Sequence, residues 1–427
     1  MARPRVEFNK LPSSLRRGHG DSTRRCWQQT IVALAALAAL AAPSARGARA
    51  PWAHPGVLVG GPQLAFVRAA LAAGQQPFSA AFAKAAGSAF ANASWAPQGP
   101  PASGVIECGG YDHPDHGCSA ESNDAVAAYT LALLFALGGD AAHARAAARI
   151  MDAYAARVTA YNNSNAPLQA AWSASKWARA AELVLRAEGG GEAVWPAADA
   201  AAFVAFLVNV GLPLIANETN ANGNWATSMI EGIAGIAVLT EDAALLERAA
   251  FYWRTRVPSY IYVAADGDKP VPLPVRPGGQ GPPNTQGWYG QRVFNASVEG
   301  LAQETCRDAE HTQMGLAAAL NAAETMRLQG IDLFAEEAPR LRAGLEWHSR
   351  LLLGAQQPGF VCAGGRVVDA NATYPTFEVG YNALSNRLGL EMPDTLAHLV
   401  RNVRPLPLPE NGWMMEWETL THGGGPH

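Results

Sequence analysis

Between Gln303 and Gly315 the chain reads Gln-Glu-Thr-Cys-Arg-Asp-Ala-Glu-His-Thr-Gln-Met-Gly, with five ionisable side chains besides Cys306. At helical spacing Glu304, Arg307, Asp308 and His311 fall at i, i+3, i+4 and i+7 and share one face, which Gly315 extends. An arginine in such a row can hold a carboxylate and a histidine can move a proton, while the two acids position them. The row runs straight into Met314, Leu316, Ala317, Ala318, Ala319 and Leu320, which suits a helix end opening into a polar cleft. The plainer alternative keeps Arg307 in local ion pairs and His311 on an ordinary surface.

Other residues of matching chemistry gather at expected helix beginnings. Tyr161-Asn-Asn-Ser-Asn165 precedes Gln169 and Trp172, and Asn222-Gly-Asn224-Trp225 opens a second apolar run. Asn224 is expected to cap that run while Trp225 anchors the turn, so that amides and helix N–H donors aim at one spot. A Pro-, Gly- and Gln-rich stretch from Asp266 to Leu301 carries Trp288, Tyr289 and Phe294, which argue for a lid or wall beside the polar row. Arg, His, Asn and Tyr together are what β-elimination of a 4-linked uronic acid polysaccharide requires. The C5 proton is only weakly acidic beside an ionised carboxylate, so Asn and Arg donors must stabilise the enolate-like state. A neutral His or an ionised Tyr takes that proton, and a Tyr protonates the leaving O4.

Residues 1–50 hold nine of the 32 basic residues and two of the 36 acids, followed by the apolar run Ile31–Leu40. This reads as a signal or targeting segment, with 51–427 as a single domain and no membrane anchor in the mature chain. The remainder carries 23 basic against 34 acidic residues, a formal −11, which opposes general polyanion binding. No basic stripe marks nucleic acid and no glycine loop marks phosphate binding. Localisation is expected to be secreted or periplasmic. Sequons stand at Asn92, Asn162, Asn217, Asn295 and Asn371.

Cys108, Cys118, Cys306 and Cys362 allow three disulfide connectivities. Cys108 with Cys118 closes a short loop, leaving Cys306 with Cys362. Asp112, His113, Asp115, His116 and Cys118 are potential metal ligands, but their spacing fits no zinc pattern. His143 and His348 stand alone and read as structural; His422 could enter the cleft through the tail.

The periodicity predicts two helices within Gln63–Ser94, then Asp124–Leu137 capped by Ser122 or Asn123, Ala141–Thr159, Leu168–Arg186, Ala197–Val210, Trp225–Leu239 and Asp242–Tyr262. Ala302–Gln329, Ala338–Leu353 and shorter pieces near Glu378–Leu388 and Asp394–Asn402 follow. Ser103–Glu121 reads as a loop; strand alternation is confined to Arg366–Val368 and the tail near Trp413–Thr421. The class is mainly α, and paired antiparallel helices without a solenoid period favour an incomplete (α/α) toroid.

At Asn222–Trp225, Gln303–Gln313, Gln329–Leu333 and Phe377–Asn382 the sequence resembles the alginate lyase domain superfamily, most specifically in the Arg-Asp-x-x-His-Thr-Gln block. The resemblance spans roughly Asp124 to His422. It implies a toroid with a long cleft and a lyase tetrad needing no metal or cofactor. Asn224 matches the charge-neutralising Asn and Arg307 the Arg beside the active site. His311 stands where the best-known members carry a catalytic Tyr, and Trp225 where they carry a His. The candidate catalytic set is Asn224, Arg307, His311 and Tyr289, with Asn222, Trp225, Gln169, Trp172, Glu304, Gln313 and Tyr381 binding substrate, a uronate-containing polysaccharide. Two alternatives stay open: a glycoside hydrolase using two of Glu304, Asp308, Asp332 and Glu346, and a glycan-binding protein without turnover.

Overall fold

The computed structural model describes residues 51–217, 223–272, 288–367, 374–405 and 417–425. Trp52–His427 forms one compact unit. Its helices are α1 (Gly61–Ala72), α2 (Phe78–Gly87), α3 (Cys118–Gly138), α4 (Ala141–Ala155), α5 (Ala166–Arg186), α6 (Ala197–Ile215), α7 (Gly223–Leu239), α8 (Ala243–Tyr260), α9 (Ala309–Leu328), α10 (Ala338–Leu352), α11 (Phe377–Tyr381), α12 (Pro393–His398) and α13 (Glu418–His422). This is the mainly α toroid the sequence implies.

Two populations of helix build it. α3, α5, α7 and α9 are buried nearly all round and pack side by side in that order. α4 and α8 bury one face and lean on them from outside, as amphipathic helices do. Because each outer helix reverses the chain, the four inner helices run parallel and their N-termini share one end of the toroid. The contacts agree: Gln169 at the start of α5 reaches Glu121 at the start of α3, and Trp172 of α5 meets Met314 near the start of α9. Indole donors tie the layers, with Trp253 Nε1 on Ala319 O at 2.8 Å and Trp417 Nε1 on Thr130 Oγ1 at 2.8 Å. Among the described residues one helix, α6, is long and apolar enough to cross a membrane; it packs on α4 and α5.

Several boundaries differ from the sequence reading for identifiable reasons. α3 starts at Cys118 rather than Asp124, because Asp115 Oδ1 accepts the Cys118 and Ser119 N–H groups at 2.9 and 3.3 Å. Asp124 is instead buried and accepts from Trp95 Nε1, Gln98 N, Gly99 N and Tyr154 Oη. The Ser103–Glu121 loop contains β1 (Val105–Cys108) and β2 (Asp115–His116), which join β3 (Ala160–Asn162) in the order β2-β1-β3, antiparallel then parallel. The tail expected as a strand ends in helix α13, and Arg366 and Val367 form no strand. Val368 and Trp413–Glu416 lie outside the described residues.

Tyr260, at the end of α8, slots between α7 and α9. A Cβ on Gly223 would fall 2.0 Å from its ring and one on Gly315 would fall 2.1 Å from its hydroxyl. Gly315→Ala is therefore expected to destabilise the protein by about 1–3 kcal/mol through overpacking, read as a lower thermal unfolding midpoint.

Candidate active site at the mouth of the inner helices

The row Glu304–His311 is not one helical face. Residues 303–307 form turns, closed by Arg307 N on Glu304 O at 2.8 Å, and α9 begins at Ala309. Asp308 breaks the helix because its carboxylate is the N-cap, accepting the His311 N–H at 2.6 Å. The turn still brings the four side chains together.

Glu304 is the buried centre. Its carboxylate accepts from Asn224 N at 2.8 Å, Asn224 Nδ2 at 2.6 Å and Arg307 Nη1 at 3.1 Å. It thus caps α7 from a distant part of the chain, the role expected of Asn224 itself. Burial pushes the Glu304 carboxyl up to about 7, against the opposing pull of the Asn224 N–H and Arg307. The Asn224 amide orientation follows from this contact, since a flip would set two oxygens against each other. Asn224 Oδ1 is left buried without a hydrogen-bond partner.

Asp308 serves His311. The ring Nδ1 lies 2.7 and 2.8 Å from the two Asp308 oxygens. Donation there leaves Nε2 as the proton acceptor of the neutral ring. Partial burial pushes the Asp308 carboxyl up, but the His311 ring and backbone N–H bonds and the Arg307 charge outweigh it and hold it below its usual value.

Tyr289 completes the group from the long loop, with the Arg307 guanidinium 5.9 Å from its ring centroid. One turn along α9, Met314 packs with Leu168, Trp172, Ala317 and Ala318, and Trp225 and Tyr374 cover that cluster. Tyr374 Oη donates to Glu310 Oε1 at 2.9 Å. An aromatic wall thus adjoins the polar group.

The structure brings Asn224, Arg307, His311, Tyr289 and Glu304 together, with Trp172 and Trp225 beside them. Three sequence expectations do not join them. Gln169 is buried, with Nε2 donating to Glu121 Oε2 at 2.9 Å and near Cys118 O at 3.2 Å, so its amide satisfies a buried carboxylate. Gln313 is buried on the opposite side of α9, where Thr305, His348 and Leu351 line a small cavity. Tyr381 packs on the core from α11, close to the Arg404–Glu378 pair. Asn222 lies outside the described residues.

His348 is structural: buried, held neutral by a value lowered to about 4 through burial, and bonded to Thr305 Oγ1 and Gly344 O. His422 is buried beside Glu324, thirteen residues along α9 from His311, and does not reach the mouth. That separation is about 20 Å at the helical rise. Glu346 caps α12 through Thr395 N, and Asp332 caps a turn at Ala335, so neither joins Glu304 and Asp308 as a hydrolytic pair. Cys118, weighed as a metal ligand, is bonded to Cys108, and Cys306 is bonded to Cys362. Sequence reasoning missed Tyr260 and Tyr374, single aromatics with no motif around them.

A family profile described as alginate lyase matches residues 84–271. This region is an alginate lyase domain. The match includes Trp172, Asn224 and Trp225 and ends before Tyr289, Arg307 and His311. The crystal structure of alginate lyase A1-III from Sphingomonas species A1 superposes with a TM-score of 0.57 at 16% identity, covering 84% of this chain and 94% of that one. A variant of A1-III complexed with a tetrasaccharide gives 0.56 at 16% identity, with 84% and 93% covered. The alginate lyase fold therefore extends well beyond the matched region. The chain matches no curated protein sequence.

Proposed function

We propose that this protein is a secreted polysaccharide lyase that cleaves a 4-linked, uronate-containing polysaccharide by β-elimination. One observation carries the reading: Glu304 and Asp308, adjacent at the mouth, hold Asn224, Arg307 and His311 in one group that Tyr289 joins through Arg307. Arg307 and the second Nδ2 hydrogen of Asn224 hold the uronate carboxylate and carry the charge that builds on it. His311 Nε2 takes the C5 proton. The C4–O4 bond breaks as the C4–C5 double bond forms, and the Tyr289 phenol gives its proton to O4. Exchange with solvent returns both groups to their starting states. The alginate lyase domain and the tetrasaccharide complex of A1-III support a polyuronate substrate, and two disulfides suit an oxidising compartment outside the cytoplasm.

Digestion of alginate, glucuronan and glycosaminoglycans should give an unsaturated product absorbing near about 230 nm from at least one of them, the elimination product of the proton transfers above. Reducing ends without that absorbance would favour a hydrolase, and binding without either would favour a glycan-binding protein.

A further inference from the structure

Tyr289 is held in an unusual backbone state. Gln291 N donates to Trp288 O at 2.9 Å, closing a turn whose central residues are Tyr289 at φ 45° and Gly290 at φ 91°. A bulky residue in the left-handed region persists only where its surroundings impose it, and such positions cluster at functional sites.

The surroundings are specific. Trp288 is buried among Tyr262, Val298, Leu301, Trp347 and Val361, which fixes the N-terminal side of the turn. Gln291, also buried, fixes the other side with both ends of its amide: Oε1 accepts Cys362 N–H at 2.8 Å and Nε2 donates to Val293 O at 2.6 Å. Cys362 is in turn bonded to Cys306, the residue before Arg307. A continuous path therefore runs from Tyr289 through Gln291 and Cys362 to the backbone of Arg307, the cation its ring faces.

We infer that Gln291, acting with the Cys306–Cys362 disulfide, is a positioning element that registers Tyr289 against Arg307 for proton delivery to the leaving oxygen. The inference rests on the lyase reading above and assigns Gln291 no contact with substrate. Misplacement of a reacting group by about 1 Å can cost up to about 100-fold in rate, so the effect belongs in kcat.

The test is a double-mutant cycle on the full chain with a polyuronate it cleaves. Gln291→Met keeps the volume and removes both amide bonds; it should lower kcat about 10-fold, with KM within about two-fold. Added to Tyr289→Phe it should cost less than about two-fold more, because the group it positions is already gone. The Cys306→Ser/Cys362→Ser pair should repeat the pattern and carries the test if Gln291→Met does not fold. Losses that multiply in the double variant, a loss expressed in KM, or parental kcat would overturn the inference. A parent protein that turns over no polyuronate fails the lyase reading instead, which separates the two.

Discussion

His311→Ala is expected to lower kcat at least about 10³-fold, within the range that a positioned proton-transfer group supplies, while polyuronate binding survives. The ring is the group whose unshared Nε2 the Asp308 contact defines. Asp308→Ser should cost only about 10-fold: a serine still caps α9 at the His311 N–H but no longer anchors Nδ1. The order of the two effects matters more than either size. In a hydrolase using Glu304 and Asp308 as its carboxylates, Asp308→Ser would be the more damaging change. Initial rates at saturating polymer, with binding measured separately for His311→Ala, decide between them.

Glu304→Gln is the second large effect, and it separates activity from stability. Glutamine cannot hold Asn224 and Arg307 as a carboxylate does, so kcat/KM should fall about 100-fold, as when charged hydrogen bonds in a site are lost. Stability should move the other way above neutral pH. The buried Glu304 carboxyl is raised to about 7 from an ordinary value of 4.5. Between those values the folded state holds a proton that the unfolded state has released, so rising pH costs stability across that window. Below 4.5 both states are protonated and nothing is lost; above about 7 the full penalty applies. The unfolding midpoint of Glu304→Gln minus that of the parent should therefore become more positive from pH 5 to pH 8. The opposite trend would mean that attraction to Arg307 outweighs burial.

The toroid was legible because its evidence is repetitive. Ala- and Leu-rich runs at helical spacing, stopped by corners such as Gly138-Gly-Asp140 and Thr240-Glu-Asp242, state paired helices many times over. The small sheet was not legible, since strands of two to four residues among Gly, Pro and His leave no alternation to read.

At the site, residue types were easier to read than geometry. Arg307 and His311 stood out by density of charge, yet the same periodicity carried the helix through Asp308, whose capping chemistry ends it. Gln169 shows the reverse error: a polar residue in an Ala-rich helix looked like a ligand group, but Glu121, 48 positions away, claims its amide. Tyr289 was visible only as an aromatic in a Pro- and Gly-rich loop. Its left-handed backbone and the amide that fixes it depend on contacts 71 residues apart, which no local pattern records.

The parallel inner helices also bear on how a charged polymer meets this protein. Three of their four N-termini are already met by carboxylates, Asp115 at α3, Glu304 at α7 and Asp308 at α9, which leaves Arg307 as the cation that draws an anionic segment to the mouth of a body whose residues from 51 onward sum to a formal −11. Attraction is thus local and repulsion general. A segment of polyuronate overhanging the mouth lies over like charge, so overhang weakens the grip rather than strengthening it. After a cut both fragments remain anionic along their length, and the same field that admits only the bound segment drives the two pieces apart.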